Sequence, residues 1–196
     1  MATGTVGAGW ATAVAALFVI IGARRADQSL LLTGFRPTEL VSGRILTVLG
    51  LAAVVTPLFA VVIWSQRDIG LGTLVTAIAL AQLVAVAIGV VAAALVPREM
   101  EGVLVIIGIV GIQMSGDAQN WMPLWGTSQL IQRASGVPDA AATGSAVAHS
   151  VIFAVVLLAL GVALWGRRTR LHSPMKVLPM AEVVPGGRTS PARRPA

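Results

Sequence analysis

Residues 24–44 read RRADQSLLLTGFRPTELVSGR, and the reading of this stretch decides how the rest of the chain is arranged. It carries four arginines and two acids around a Gly34-Phe35-Arg36-Pro37 break, with a strongly apolar run on either side. Pro37 suits the first turn of a helix, where its missing N–H costs nothing. Glu39 in that same turn is favoured by the helix dipole. A helix is therefore expected to begin near Pro37 and to run into the next apolar stretch. Upstream, Ala26 to Leu32 fits a short amphipathic helix ended by Gly34. A polar connection of about 20 residues is long for a link between two hydrophobic segments. It reads as the place where the chain meets something in the cytoplasm.

Outward from this loop the chain is apolar. Of its 196 residues, 56% are hydrophobic and 11% charged, with a mean hydropathy of +0.86; soluble domains carry roughly 25% charged residues. Apolar runs of about 20 residues recur, the length needed to cross a bilayer as a helix. The expected class is an all-α, polytopic helical membrane protein, with residues 1–170 as membrane domain. Five transmembrane spans are expected, at about 8–23, 45–64, 69–96, 102–114 and 144–166. Pro57, inside the second, should kink it or free a carbonyl one turn back. In the third, Ala77, Ala81, Ala85, Gly89 and Ala93 form a row of small side chains at every fourth position, which lets another helix approach closely.

The fourth run is too short to cross unaided and must borrow length from its flanking turns. After it comes SGDAQNWMPLWGTSQLIQRASGVPDAAAT, residues 115–143. Trp121 and Trp125 suit a membrane interface, and Pro123, Gly126, Gly136 and Pro138 break the segment up. Leu124, Gln129, Leu130 and Arg133 fit a short helix lying at the surface or dipping in. Residues 171–196 form a basic, Pro-rich tail expected to be disordered.

Of the 14 Lys and Arg residues, all but Arg67 and Arg133 fall on one side of this layout. That side should be cytoplasmic, which puts the N-terminus outside and the C-terminus inside, in a plasma membrane. The net charge of +6 suggests nucleic acid at first sight. The basic residues cluster beside apolar spans, however, so membrane lipid is the expected contact and nucleic acid is not. The first apolar run has no basic segment before it and Arg24-Arg25 after it, the reverse of a signal peptide. High Ala, Gly, Val and Arg with a single Lys points to a GC-rich bacterial genome.

Enzymatic chemistry finds little to work with. No acid or base sits deep in a span, where proton- and ion-driven transporters place them. His149 adjoins Ser150, but neighbours on a helix point about 100° apart and cannot act as base and nucleophile. Gln82, Gln113 and His149 are the polar side chains within spans, placed to line a substrate path or to hydrogen-bond between helices. No cysteine is present, which excludes disulfides and thiol chemistry. Lys176 is the only lysine and there is no G-x-x-x-x-G-K-[ST], so the chain is expected to hydrolyse no ATP itself. Asp117 and Asp139 are isolated, and no cluster has metal-ligand spacing. The chain reads as a conduit or an anchor without catalytic, cofactor or metal site, and its small helix inventory favours a dimer.

Two runs carry a resemblance: TGFRPTELVSGRIL, residues 33–46, where a Gly and a Pro precede entry to a span, and WMPLWGTSQLIQ, residues 121–132, before the last span. With the tight turn at Pro97–Glu101, their order resembles the membrane-spanning subunit of the type-2 (exporter) permease family of ABC transporters. That family has six spans and a cytoplasmic N-terminus; this chain starts at what would be the second span. The resemblance implies a separate ATP-binding subunit, a homodimer or heterodimer of permease subunits, and outward movement of a hydrophobic substrate such as a drug, antibiotic or lipid. It implies ATPase-coupling contacts at Arg24, Arg25, Phe35, Arg36, Glu39, Arg98 and Glu99. A non-transporting anchor or assembly protein for a partner complex is the alternative. An intramembrane enzyme acting on lipid is disfavoured by the missing nucleophile–base pair.

Overall fold

The computed structural model describes residues 3–66, 70–114 and 119–171, which form helices and short turns with no strand among them. Arg67, Asp68, Asp117 and the tail beyond Leu171 lie outside the described residues. The helices are α1 (Thr3–Gly22), α2 (Arg24–Leu32), α3 (Pro37–Trp64), α4 (Leu71–Leu95), α5 (Glu99–Met114), α6 (Trp125–Ala134) and α7 (Thr143–Leu171). Three stretches are long and apolar enough to cross a membrane: Thr38–Trp64, Leu71–Leu95 and Thr143–Arg168. Of the five expected spans, the first and fourth fall on shorter apolar helices. α1 has 20 residues, with Gly9–Gly22 as its apolar stretch among the described side chains, and α5 has 16.

The boundaries have local causes. Pro37 opens α3, and the Arg36 N–H donates to Glu39 Oε2 at 3.3 Å. This is one half of a capping box; a guanidinium has no acceptor with which to supply the other half. Gly34 stands at φ +97°, the left-handed conformation that ends a helix, and the N–H groups of Thr33 and Phe35 both turn back to the Leu30 carbonyl. α3 continues through Pro57 without interruption. Gly136, at φ +79°, follows α6 in the same way.

α4 is the centre. Buried side chains make up 78% of its most apolar stretch, against 22% for α3 and 17% for α7. α1 and α7 run parallel to it. Gly9 lies beside Ala81 and Ala85, Gly89 lies against Ala13 and Ala16, and Gly161 lies on Val90 and Val91. α3 and α5 run the other way: Ala60 and Ile63 cluster with Leu74 and Ile78, and Gly102 meets the Leu17 side chain. Lipid is as apolar as leucine, so close packing has to hold such helices together. The small row on α4 provides it: a Cβ added at Gly89 would press into the Ala13 carbonyl oxygen and stand 2.8 Å from the Ala16 Cβ. The outward faces of α3 and α7 are apolar, with Leu46, Val54, Leu58, Ile152 and Val155 exposed. In water so continuous an apolar surface would be a liability.

Candidate functional site

This alternation gathers the C-termini of α1, α4 and α7 and the N-termini of α3 and α5 at one end of the bundle, with α2 across it. The last carbonyls of a helix have no partner within it. At the end of α4 two arginines serve them. Arg24 donates to Ala93 O at 2.6 Å, Val96 O at 2.8 Å and Pro97 O at 2.7 Å, and its guanidinium lies 5.5 Å over the Trp165 ring. Arg168 donates to Ala94 O at 3.1 Å and Val96 O at 3.3 Å. Cations at a helix C-terminus are favoured by the dipole as well. Burial first and the Arg168 guanidinium second push Arg24 below the usual arginine pKa, while Glu99 acts the other way. An arginine starts high enough to remain charged at neutral pH.

α2 is fastened a second time. Arg44, in the second turn of α3, forms an ion pair with Asp27, which is only 3% exposed, and also donates to Val19 O at 3.4 Å. Neither Asp27 nor Arg44 stands among the residues singled out as contacts by resemblance. The two are 17 residues apart across a helix break, a spacing that no periodic pattern flags.

The remaining contact candidates divide. Arg24 is turned inward as described, and the Arg25 side chain lies outside the described residues. Gly34, Phe35, Arg36 and Glu39 are exposed, with Phe35 at 52%. An exposed phenylalanine on a polar elbow is an apolar tip that the rest of the chain leaves uncovered. Arg98 is also exposed and makes a loose 3.6 Å pair with Glu101; Glu99 is half-buried beside it in the first turn of α5. The elbow and the α4–α5 turn therefore share one end.

Gln82, Gln113 and His149 each find an internal partner. The Thr56 hydroxyl donates to Gln82 Oε1 at 2.5 Å, joining α3 to α4. Gln113 accepts from the Leu124 N–H at 2.8 Å and donates to Ile109 O, tying α5 to the start of α6. His149 Nε2 lies 2.7 Å from the Asn120 carbonyl oxygen, with the ring between Trp125 and Phe153. Ser150 turns to Ala146 O at 3.0 Å and does not pair with His149. Among the described residues no group of three His, Cys, Asp or Glu could hold a metal ion. No family model, curated protein or solved structure matches the chain.

Proposed function

We propose that the chain is the membrane subunit of an ABC-type exporter, taking energy from a separate ATP-binding subunit to move a hydrophobic substrate outward. The observation that carries this reading is the exposed Phe35-Arg36 elbow. It stands at the same end as the α4–α5 turn and is joined through α2 to the central helix. A partner that grips the elbow pulls on the middle of the bundle. In this reading α1, α3, α4, α5 and α7 are five passes, with α1 and α5 borrowing length from their turns, and the segment around α6 dips into the outer side. The elbow end holds Arg24, Arg25, Arg36, Arg44, Arg98, Arg167 and Arg168. The far end holds Arg133 among the described residues. The first end then faces the cytoplasm of a bacterial cell, with the C-terminus inside and the N-terminus outside.

A second reading has its own support. Gln82, Gln113 and His149 each commit at least one polar atom to a partner inside the same copy, although Gln82 Nε2 and His149 Nδ1 are buried without one, so a polar path through a single chain has few side chains left to line it. That favours either a path between two copies or a non-transporting anchor for a partner complex. The test is a pull-down of the detergent-solubilised chain, wild type against a variant with Phe35, Arg36 and Glu39 changed to alanine. Retention of a P-loop ATPase by the wild type and its loss from the variant supports the permease reading. Capture of no ATPase by either form refutes that reading and leaves the anchor.

A further inference from the structure

α2 is held at two points one turn apart, and they are built differently. Arg24 spreads its donors over Ala93, Val96 and Pro97, so it cannot slide without losing several bonds. The Asp27–Arg44 pair is a single-point contact, Nη2 to Oδ1. Asp27 Oδ2 and Arg44 Nε are both buried with no hydrogen-bond partner. A buried carboxylate and guanidinium are strongest as a two-point fork, and a buried donor or acceptor left unmade is costly. As it stands, the pair is therefore a costly way to join α2 to α3. Arg44 also reaches Val19 O, so the pair gathers the ends of α1, α2 and α3. An apolar pair of similar volume would fill the same space at lower desolvation cost.

We propose that Asp27 and Arg44 are positioning residues of the elbow. Their ion pair holds Phe35 and Arg36 in a fixed relation to the end of α4, so that a push on the elbow is passed into the central helix. This rests on the coupling reading above.

The chain has no cysteine, so Thr33→Cys and Leu95→Cys, both at exposed positions, accept a pair of spin labels. Pulsed EPR on the full chain in lipid nanodiscs reads the distance from elbow to α4. A narrow distribution is expected in the otherwise unaltered chain and in Arg44→Lys, because an ammonium can keep a single-point contact. Asp27→Asn and Arg44→Gln should widen it roughly twofold. So should the Asp27→Asn/Arg44→Gln double variant, which strands no buried charge and is the safer one to fold. A double-variant distribution as narrow as the wild type's overturns the proposal. The pull-down runs in parallel. If the wild type retains an ATPase, ATP should shift the distance in the wild type and leave it unmoved in the double variant; equal shifts overturn the proposal. If no ATPase is retained, the coupling reading falls by itself, and the widths still decide whether the pair positions the elbow.

Discussion

The two ends of the bundle solve the same problem by different means. At the elbow end, helix termini are closed by long charged side chains that reach across to other helices: Arg24 and Arg168 to the end of α4, and Arg44 to Asp27 and Val19. At the α6 end neutral contacts and backbone proximity predominate, with Gln113 to the Leu124 N–H, His149 to the Asn120 carbonyl and Gly126 against Ala146 and Ser150, and one charged arm, Arg133, reaches the Ala141 carbonyl at 3.4 Å. Charged arms hold by electrostatic bonds, which dissolved salt reaches, whereas close backbone packing holds by shape, which salt does not touch. The elbow end is thus open to screening, and the close packing of the α6 end is not.

The largest effect should come from the packed end. A Cβ at Gly126 would press into the Ala146 carbonyl oxygen and stand 2.5 Å from Ser150 Oγ. Gly126→Ala should cost about 3 kcal/mol by overpacking, because one side of the clash is backbone. Unfolding in detergent measures it, and added salt should leave the loss unchanged. A loss below about 0.5 kcal/mol would break the comparison, since it would mean that this end gives way. Next comes the charged end. Arg24→Ala leaves the Ala93 carbonyl without its side-chain donor, although Arg168 still serves Val96. The expected cost is about 2 kcal/mol, the range for hydrogen bonds to a charged group. Here the stability of the wild type itself should depend on salt, because partly exposed charges are screened.

This division also explains what could be read from the chain alone. The elbow was legible: Gly34, Pro37 and Glu39 mark the end of α2 and the start of α3 through backbone rules that act within a turn. The α6 helix was legible from its breakers and its apolar spacing. The central place of α4 was only half legible. α3 and α4 are both apolar throughout, so apolarity does not say which one is surrounded; the row from Ala77 to Ala93 does, because only small side chains let helices close in from several sides. The closing of the charged end was not legible. Arg24 meets carbonyls 69 to 73 residues away, and backbone carbonyls carry no residue signature. The basic residues there were readable as topology signals, and the same residues also cap helices.

Two smaller effects sharpen the contrast. Gln113→Leu keeps the volume and leaves the Leu124 N–H without its acceptor, for an expected loss of about 1 kcal/mol that is independent of salt. Arg98→Ala should be the smallest. Its side chain is 82% exposed and its pair with Glu101 spans 3.6 Å, so unfolding in detergent should change by less than about 0.5 kcal/mol. The informative quantity is the difference between stability and binding. Arg24→Ala weakens the bundle because its donors face inward. Arg98→Ala removes a charge that faces outward beside the elbow, so under the permease proposal retention of an ATP-binding subunit in the pull-down should fall while the unfolding curve stays in place. If stability and retention fall together for Arg98→Ala, its charge is serving the bundle as Arg24 does. The elbow end would then be closed over its own arginines, with no charged face left at the α4–α5 turn for a partner.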